Sequence, residues 1–133
     1  MIYLLYLYQD WTLLAVRIAV AAIFLIHGWP KLKNLKTTAE NFNSMGFRPG
    51  KLWGPFIAIL EVVGGILLLL GFAIQVLGIL FAIEMLVAAI WKIKHGQKFA
   101  GGYELDVLLV VASLILITNG SGAFGLDRLF FQF

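Results

Sequence analysis

Residues 56–71 read FIAILEVVGGILLLLG. Every position is apolar or glycine except Glu61, which stands near the middle. A run of this kind has the length and composition of a helix that crosses a bilayer. A carboxylate inside such a helix is costly unless it faces the protein interior and finds a partner. Fold and function therefore turn on where Glu61 points and what answers it.

The rest of the chain agrees with a membrane setting. Of its 133 residues, 62% are hydrophobic and only 13% are charged. Soluble domains average about 45–50% and about 25%. Mean hydropathy is +0.96. A soluble fold of this length has too little interior to hide so much apolar surface. The net charge of +3 and pI near 9.3 do not point to nucleic acid. The basic residues lie mainly in two loops, as membrane topology requires. There is no cysteine. This excludes disulfides, thiolate metal sites, covalent c-type haem and a thiol relay within the chain. The opening MIYLLYLYQD has no basic region and carries Asp10. With Tyr3, Tyr6, Tyr8 and Trp11 it reads as an interfacial aromatic belt, not a cleavable signal.

Four spans are expected, at residues 11–28, 53–71, 76–91 and 103–118, in one integral membrane domain. Pro30, after His27-Gly28-Trp29, marks the end of the first. The long loop that follows carries Lys31, Lys33, Lys36, Arg48 and Lys51 against Glu40. Thr37 to Glu40 starts a short interfacial helix, and residues 45–50 are turn chemistry. Pro55 falls in the first turn of the second span, where proline is tolerated. The fold class is all-α, an antiparallel four-helix transmembrane bundle. Loops one and three hold five and three basic residues, whereas the N-terminus, loop two and tail hold only Arg128. The positive-inside rule then predicts both termini outside the cytoplasm. A faint echo, His27-Gly28 with Lys31 and His95-Gly96 with Lys98, suggests a duplicated helical hairpin.

Depth along each helix sorts the ionisable residues. At 1.5 Å per residue, Glu61 and Glu84 each lie about eight residues into their helices, near the midplane. Arg17 lies about six residues into the first, roughly 9 Å from the outer boundary. His27, Glu104 and Asp106 fall near the inner boundary. Two polar layers are expected: Arg17–Glu61–Glu84 at mid-depth and His27–Glu104, with His95, toward the cytoplasm. Two close carboxylates cannot both stay ionised cheaply. Arg17 would hold one as a bidentate partner, and the other would carry a proton. That builds a proton-exchanging site for a quinone head group or a substrate acid.

Plainer readings stand beside these. A buried Arg17–Glu61 pair can glue helices and fix their register without further function. Glu104 and Asp106 are also acids favoured in a helix's first turn. His27 can be a helix-end residue. Gly64-Gly65, Ala15 with Ala19, and Ala88-Ala89 suit close helix approach. No phosphate loop, HExxH or bis-histidine haem spacing is present.

The chain resembles the DoxX family of small four-helix membrane proteins. The resemblance rests on Arg17; His27-Gly28 with Lys31; Phe42, Gly46-Phe47 and Pro49; Glu61, Gly64-Gly65 and Gly71; His95, Gly101-Gly102 and Glu104; and Gly120, Gly122 and Leu126-Asp127. It covers nearly the whole chain in order. It implies a bacterial or archaeal cytoplasmic-membrane protein. Related proteins include a subunit of thiosulfate:quinone oxidoreductase, and others are linked to oxidative-stress complexes with soluble sulfur-transfer or dismutase partners. Relatives with a cysteine pair carry thiol chemistry that this sequence lacks.

The expectation is a membrane subunit of a redox complex that binds a quinone-like or small acidic ligand. Arg17, Glu61, Gly64, Gly65, Glu84 and Glu104 would bind; Glu61, Glu84 and His27 would exchange protons. No cofactor is expected to be covalently bound, and quinone is the ligand considered. Partners are the lipid bilayer and a soluble or membrane redox protein or a second copy of the chain. Alternatives are a small proton-coupled transporter or channel, and an anchoring subunit whose ion network only sets packing.

Overall fold

The computed structural model describes residues 3–131. After a 3-10 turn at Tyr3–Tyr8 come six helices: α1 (Gln9–Lys33), α2 (Leu35–Ser44), α3 (Gly50–Leu70), α4 (Ile74–Lys94), α5 (Glu104–Asn119) and α6 (Asp127–Phe130). No strand occurs among the described residues. Four helical stretches are long and apolar enough to cross a bilayer: Tyr3–Lys33, Gly50–Leu70, Ile74–Lys94 and Phe99–Asn119. The protein is all-α and multi-pass, and its environment is a lipid bilayer. Its outward faces fit that solvent. Ile59, Val63, Ile66, Val76, Ile83 and Leu108 are all exposed.

Helix boundaries differ from the sequence expectation: α4 extends at both ends, to Ile74 and Lys94, and three further differences bear on the first three helices. Pro30 does not end α1, which runs on to Lys33. Proline removes one N–H, but a membrane helix absorbs that loss when its neighbours satisfy the freed carbonyl. The interfacial helix α2 starts earlier than Thr37, because the Asn34 side chain accepts a hydrogen bond from the Thr37 N–H and caps it. Finally, α3 begins at Gly50, which moves Pro55 beyond the first turn. The turn ahead of it contains Gly46 at φ +93°, a conformation that favours glycine.

Packing divides the chain into two compact units. One is Ile18–Leu69: most of α1, with α2 and α3. Its buried stripe on α3 is Gly54, Ala58, Glu61, Val62, Gly65 and Leu68, spaced by three and four residues. That spacing turns Glu61 inward. Gly65 makes room for α1, since a Cβ there would lie 2.8 Å from Leu25 and 3.3 Å from the Ala21 carbonyl. Gly50 and Gly54 do the same for α2, whose backbone at Thr38 and Ala39 lies against them. The close approach read from Gly64-Gly65 is thus met at Gly65, and Gly64 is buried beside it.

The other unit holds residues up to Arg17 and from Leu70 onward. Here α4 and α5 pack as a hairpin. Ile74, Leu77, Gly78, Phe81, Met85 and Ala89 form the buried stripe of α4, facing inward with Leu109, Ser113 and Leu116 of α5. A kinked segment, Phe99–Tyr103, leads into α5, with Gly101 at φ +75°.

Candidate functional site

The Ile18–Leu69 unit buries one acid deeply. Glu61 keeps 2% of its side chain exposed, and its Oε1 lies 2.7 Å from Lys31 Nζ. Its other oxygen, Oε2, is buried with no hydrogen-bond partner among the described residues. Buried polar atoms are rarely left this way. Gly28 creates the space. A Cβ at position 28 would lie 2.5 Å from Glu61 Cβ and 3.1 Å from Oε2. Lys31 follows Gly28 by three residues, so both lie on one helical face. Helical side chains lean toward the N-terminus, which carries the Lys31 ammonium back to Glu61. Lys31 retains 34% exposure. The pair therefore joins a fully buried carboxylate to a half-buried ammonium.

Lys31 is the residue that sequence reading missed as a partner. Taking Pro30 as the helix end put Lys31 in a loop. The spacing Gly28-x-x-Lys31 would have revealed it had α1 been carried through the proline. His27, one position away, is exposed.

The second unit holds the other candidate residues. Arg17 is 1% exposed, and its Nη1 donates to the carbonyls of Ser121 at 3.1 Å and Phe124 at 3.3 Å. The guanidinium thus binds backbone of the C-terminal segment, a use the depth count did not foresee. Glu84 is half-buried on α4. Glu104 is exposed, and its Oε1 accepts from the Gly101 N–H at 3.0 Å. That bond fastens the kink ahead of α5. His95 is exposed, stacks on Trp91 with ring centroids 3.9 Å apart, and places Nδ1 2.7 Å from the Trp91 carbonyl.

Asp106 proves more than a first-turn acid. It is buried, with Oδ2 2.7 Å from Lys92 Nζ. Lys92 also lies 3.4 Å from the Gly102 carbonyl. Each unit therefore pairs a lysine from the last turn of a spanning helix with a buried acid of the next one. The internal echo is sharper than its His-Gly version. Trp29-Pro30-Lys31-Leu32-Lys33 closes α1, and Trp91-Lys92-Ile93-Lys94 closes α4. In both, the first lysine of Lys-x-Lys turns to the acid and the second is exposed.

The DoxX family profile matches residues 12–93. A Bacillus subtilis protein named "Putative oxidoreductase CatD" is 34% identical over 119 residues, 90% of this chain and 87% of its own. The Escherichia coli "Inner membrane protein YphA" is 32% identical, over 87% of this chain and 88% of its own. A second E. coli protein, "Inner membrane protein YqjF", is 29% identical, over 91% and 93%. No solved structure matches.

Proposed function

This chain belongs to the DoxX family, and from that premise we propose that it is the membrane subunit of a redox complex, binding a quinone-like or small acidic ligand at Glu61. The observation that carries the reading is the half-satisfied carboxylate. One oxygen of Glu61 is held by Lys31 and the other is buried and unpartnered. An oxygen so placed is able to bond a ligand carbonyl or hydroxyl once the pair holds the right number of protons. Reducing a quinone to a quinol takes two electrons and two protons. Lys31, half-buried against Glu61, is placed to hand on the two protons, each replaced in turn from solvent on its exposed side. The electrons come from a partner protein or a reduced substrate. A redox role is supported by the name of the B. subtilis relative, and an inner-membrane address by the names of the two from E. coli. Gly64 and Gly65 are buried about one turn beyond Glu61, with α1 packed against Gly65, so they set the helix approach beside the acid. His27 stands exposed in the same unit as Glu61, next to Gly28.

A specific observation favours the anchoring role for part of the network. Arg17 Nη1 donates to the backbone carbonyls of Ser121 and Phe124 and so fastens the C-terminal segment. The two roles separate in one experiment. A quinone analogue is titrated into the purified protein in nanodiscs, alongside thermal unfolding. Glu61→Gln is expected to weaken binding on the order of tenfold, the worth of one charge-assisted hydrogen bond. Arg17→Gln is expected to lower thermal stability and leave affinity unchanged. If Glu61→Gln shifts only the melting temperature, the ligand reading fails and Glu61 is a packing residue.

A further inference from the structure

We propose that the end of the Ile18–Leu69 unit carrying α2 is a binding site for anionic phospholipid headgroups, with Lys36, Arg48 and Lys51 as its cations and Trp29 and Trp53 as interfacial anchors. Lys31 is taken by Glu61. Lys36, Arg48 and Lys51 are all exposed, and none has an ion-pair partner among the described residues. Glu40 is the one acid of the segment.

The cations are held on a fixed platform, not on a loose loop. The Thr38 hydroxyl donates to the carbonyls of Lys31 at 3.0 Å and Asn34 at 2.9 Å, tying α2 to the end of α1. Asn43 Oδ1 accepts from the Gly50 N–H at 2.8 Å, tying the other end of α2 to the start of α3. Gly50 and Gly54 let the two helices approach to backbone contact. A fixed group of cations loses less freedom when it binds an anion.

The same end of the unit, where α1 stops and α3 starts, is apolar as well as basic. Trp29 is 54% exposed and Trp53 44%. Indoles of this kind settle at the headgroup level, where one edge is apolar and the other wet. Cations beside them then stand at the depth of the lipid phosphates, each adding about 1 kcal/mol of attraction to an anionic leaflet. An acidic protein would have to displace lipid from exposed tryptophans to reach the same charges. Phospholipid is therefore the occupant that fits both halves of the surface.

Positive-inside topology explains why basic residues accumulate in this loop, but it acts during insertion. The test uses protein already inserted. The full chain is placed in nanodiscs of phosphatidylcholine with a minor fraction of phosphatidylglycerol, and retained lipid is read by native mass spectrometry. Selective retention of phosphatidylglycerol is expected, and the triple variant K36Q/R48Q/K51Q is expected to abolish the selectivity. The loss is roughly fivefold per cation and on the order of a hundredfold for three. Thermal unfolding in pure phosphatidylcholine should match for the two proteins, since the three side chains are exposed. Equal retention of both lipids by the native chain overturns the proposal. So does unchanged selectivity in the triple variant, or displacement of the lipid by millimolar inorganic phosphate.

Discussion

Glu61 is the deeply buried acid at the centre of the proposed ligand site, and Gly28 is what makes room for it. A methyl group at position 28 would meet Glu61 Cβ at 2.5 Å. Gly28→Ala is therefore expected to push α1 from α3 or turn Glu61 out of its buried position. Overpacking of this order costs about 1–3 kcal/mol, which thermal unfolding in nanodiscs would register. Removing the partner has a different signature. Lys31→Met leaves a buried carboxylate without its cation, an effect of about 3 kcal/mol, tempered by the exposure of Lys31. The double variant K31M/E61Q should recover most of that loss. Equal stability of the single and double variants would show that the two side chains do not interact. The burial of Glu61 was legible in sequence, because its neighbours at three- and four-residue spacing are small or apolar. Its partner was not, because proline is ordinarily a stop and here is not.

At the scale of elements, the C-terminal segment closes the start of α4. The residues before that helix, Phe72 and Ala73, offer no capping side chain, and Ala73 adopts φ +55°. Asp127 caps it from far along the chain. Its Oδ1 accepts from the Ala73 N–H at 2.6 Å and its Oδ2 from the Ile74 N–H at 2.9 Å. The backbone is returned as well, with the Asp127 N–H donating to the Gly71 carbonyl at 2.9 Å. Asp10 holds the same segment by accepting from the Ala123 N–H at 2.9 Å, and Arg17 by its two carbonyl bonds. Asp127→Ala is expected to cost about 1–2 kcal/mol, the range for a lost helix cap. Faster amide exchange should appear in the first turn of α4, with the middle of α5 unaffected. Sequence reading marked Leu126-Asp127 only as part of a resemblance. A cap drawn from a remote segment leaves no local pattern, since the usual signal is a polar residue immediately before the helix.

Across the whole molecule, four bilayer-length helices and the loop distribution of Lys and Arg predict one orientation in the membrane. Eight of the ten basic residues lie in the first and third connections. A reporter fused after the last residue should therefore be active only when it works outside the cytoplasm; activity of a cytoplasm-only reporter would reverse the orientation. The repeated Lys-x-Lys ending adds a second expectation. If Lys92–Asp106 fastens α4 to the start of α5, Asp106→Asn should lower the melting temperature without altering ligand affinity at Glu61.

The sequence alone determined the solvent and the class of fold. Apolar runs of bilayer length can be satisfied only as helices, and an acid within one must face inward. It also marked Glu61 as an acid within an apolar run that needs a partner. Only the tertiary structure decided which cation meets which acid. Lys31, Lys92 and Arg17 all have side chains long enough to reach several acceptors, so their choice depends on helix ends and on gaps left by glycine. Those are set by packing between segments distant in sequence, where periodicity carries no information.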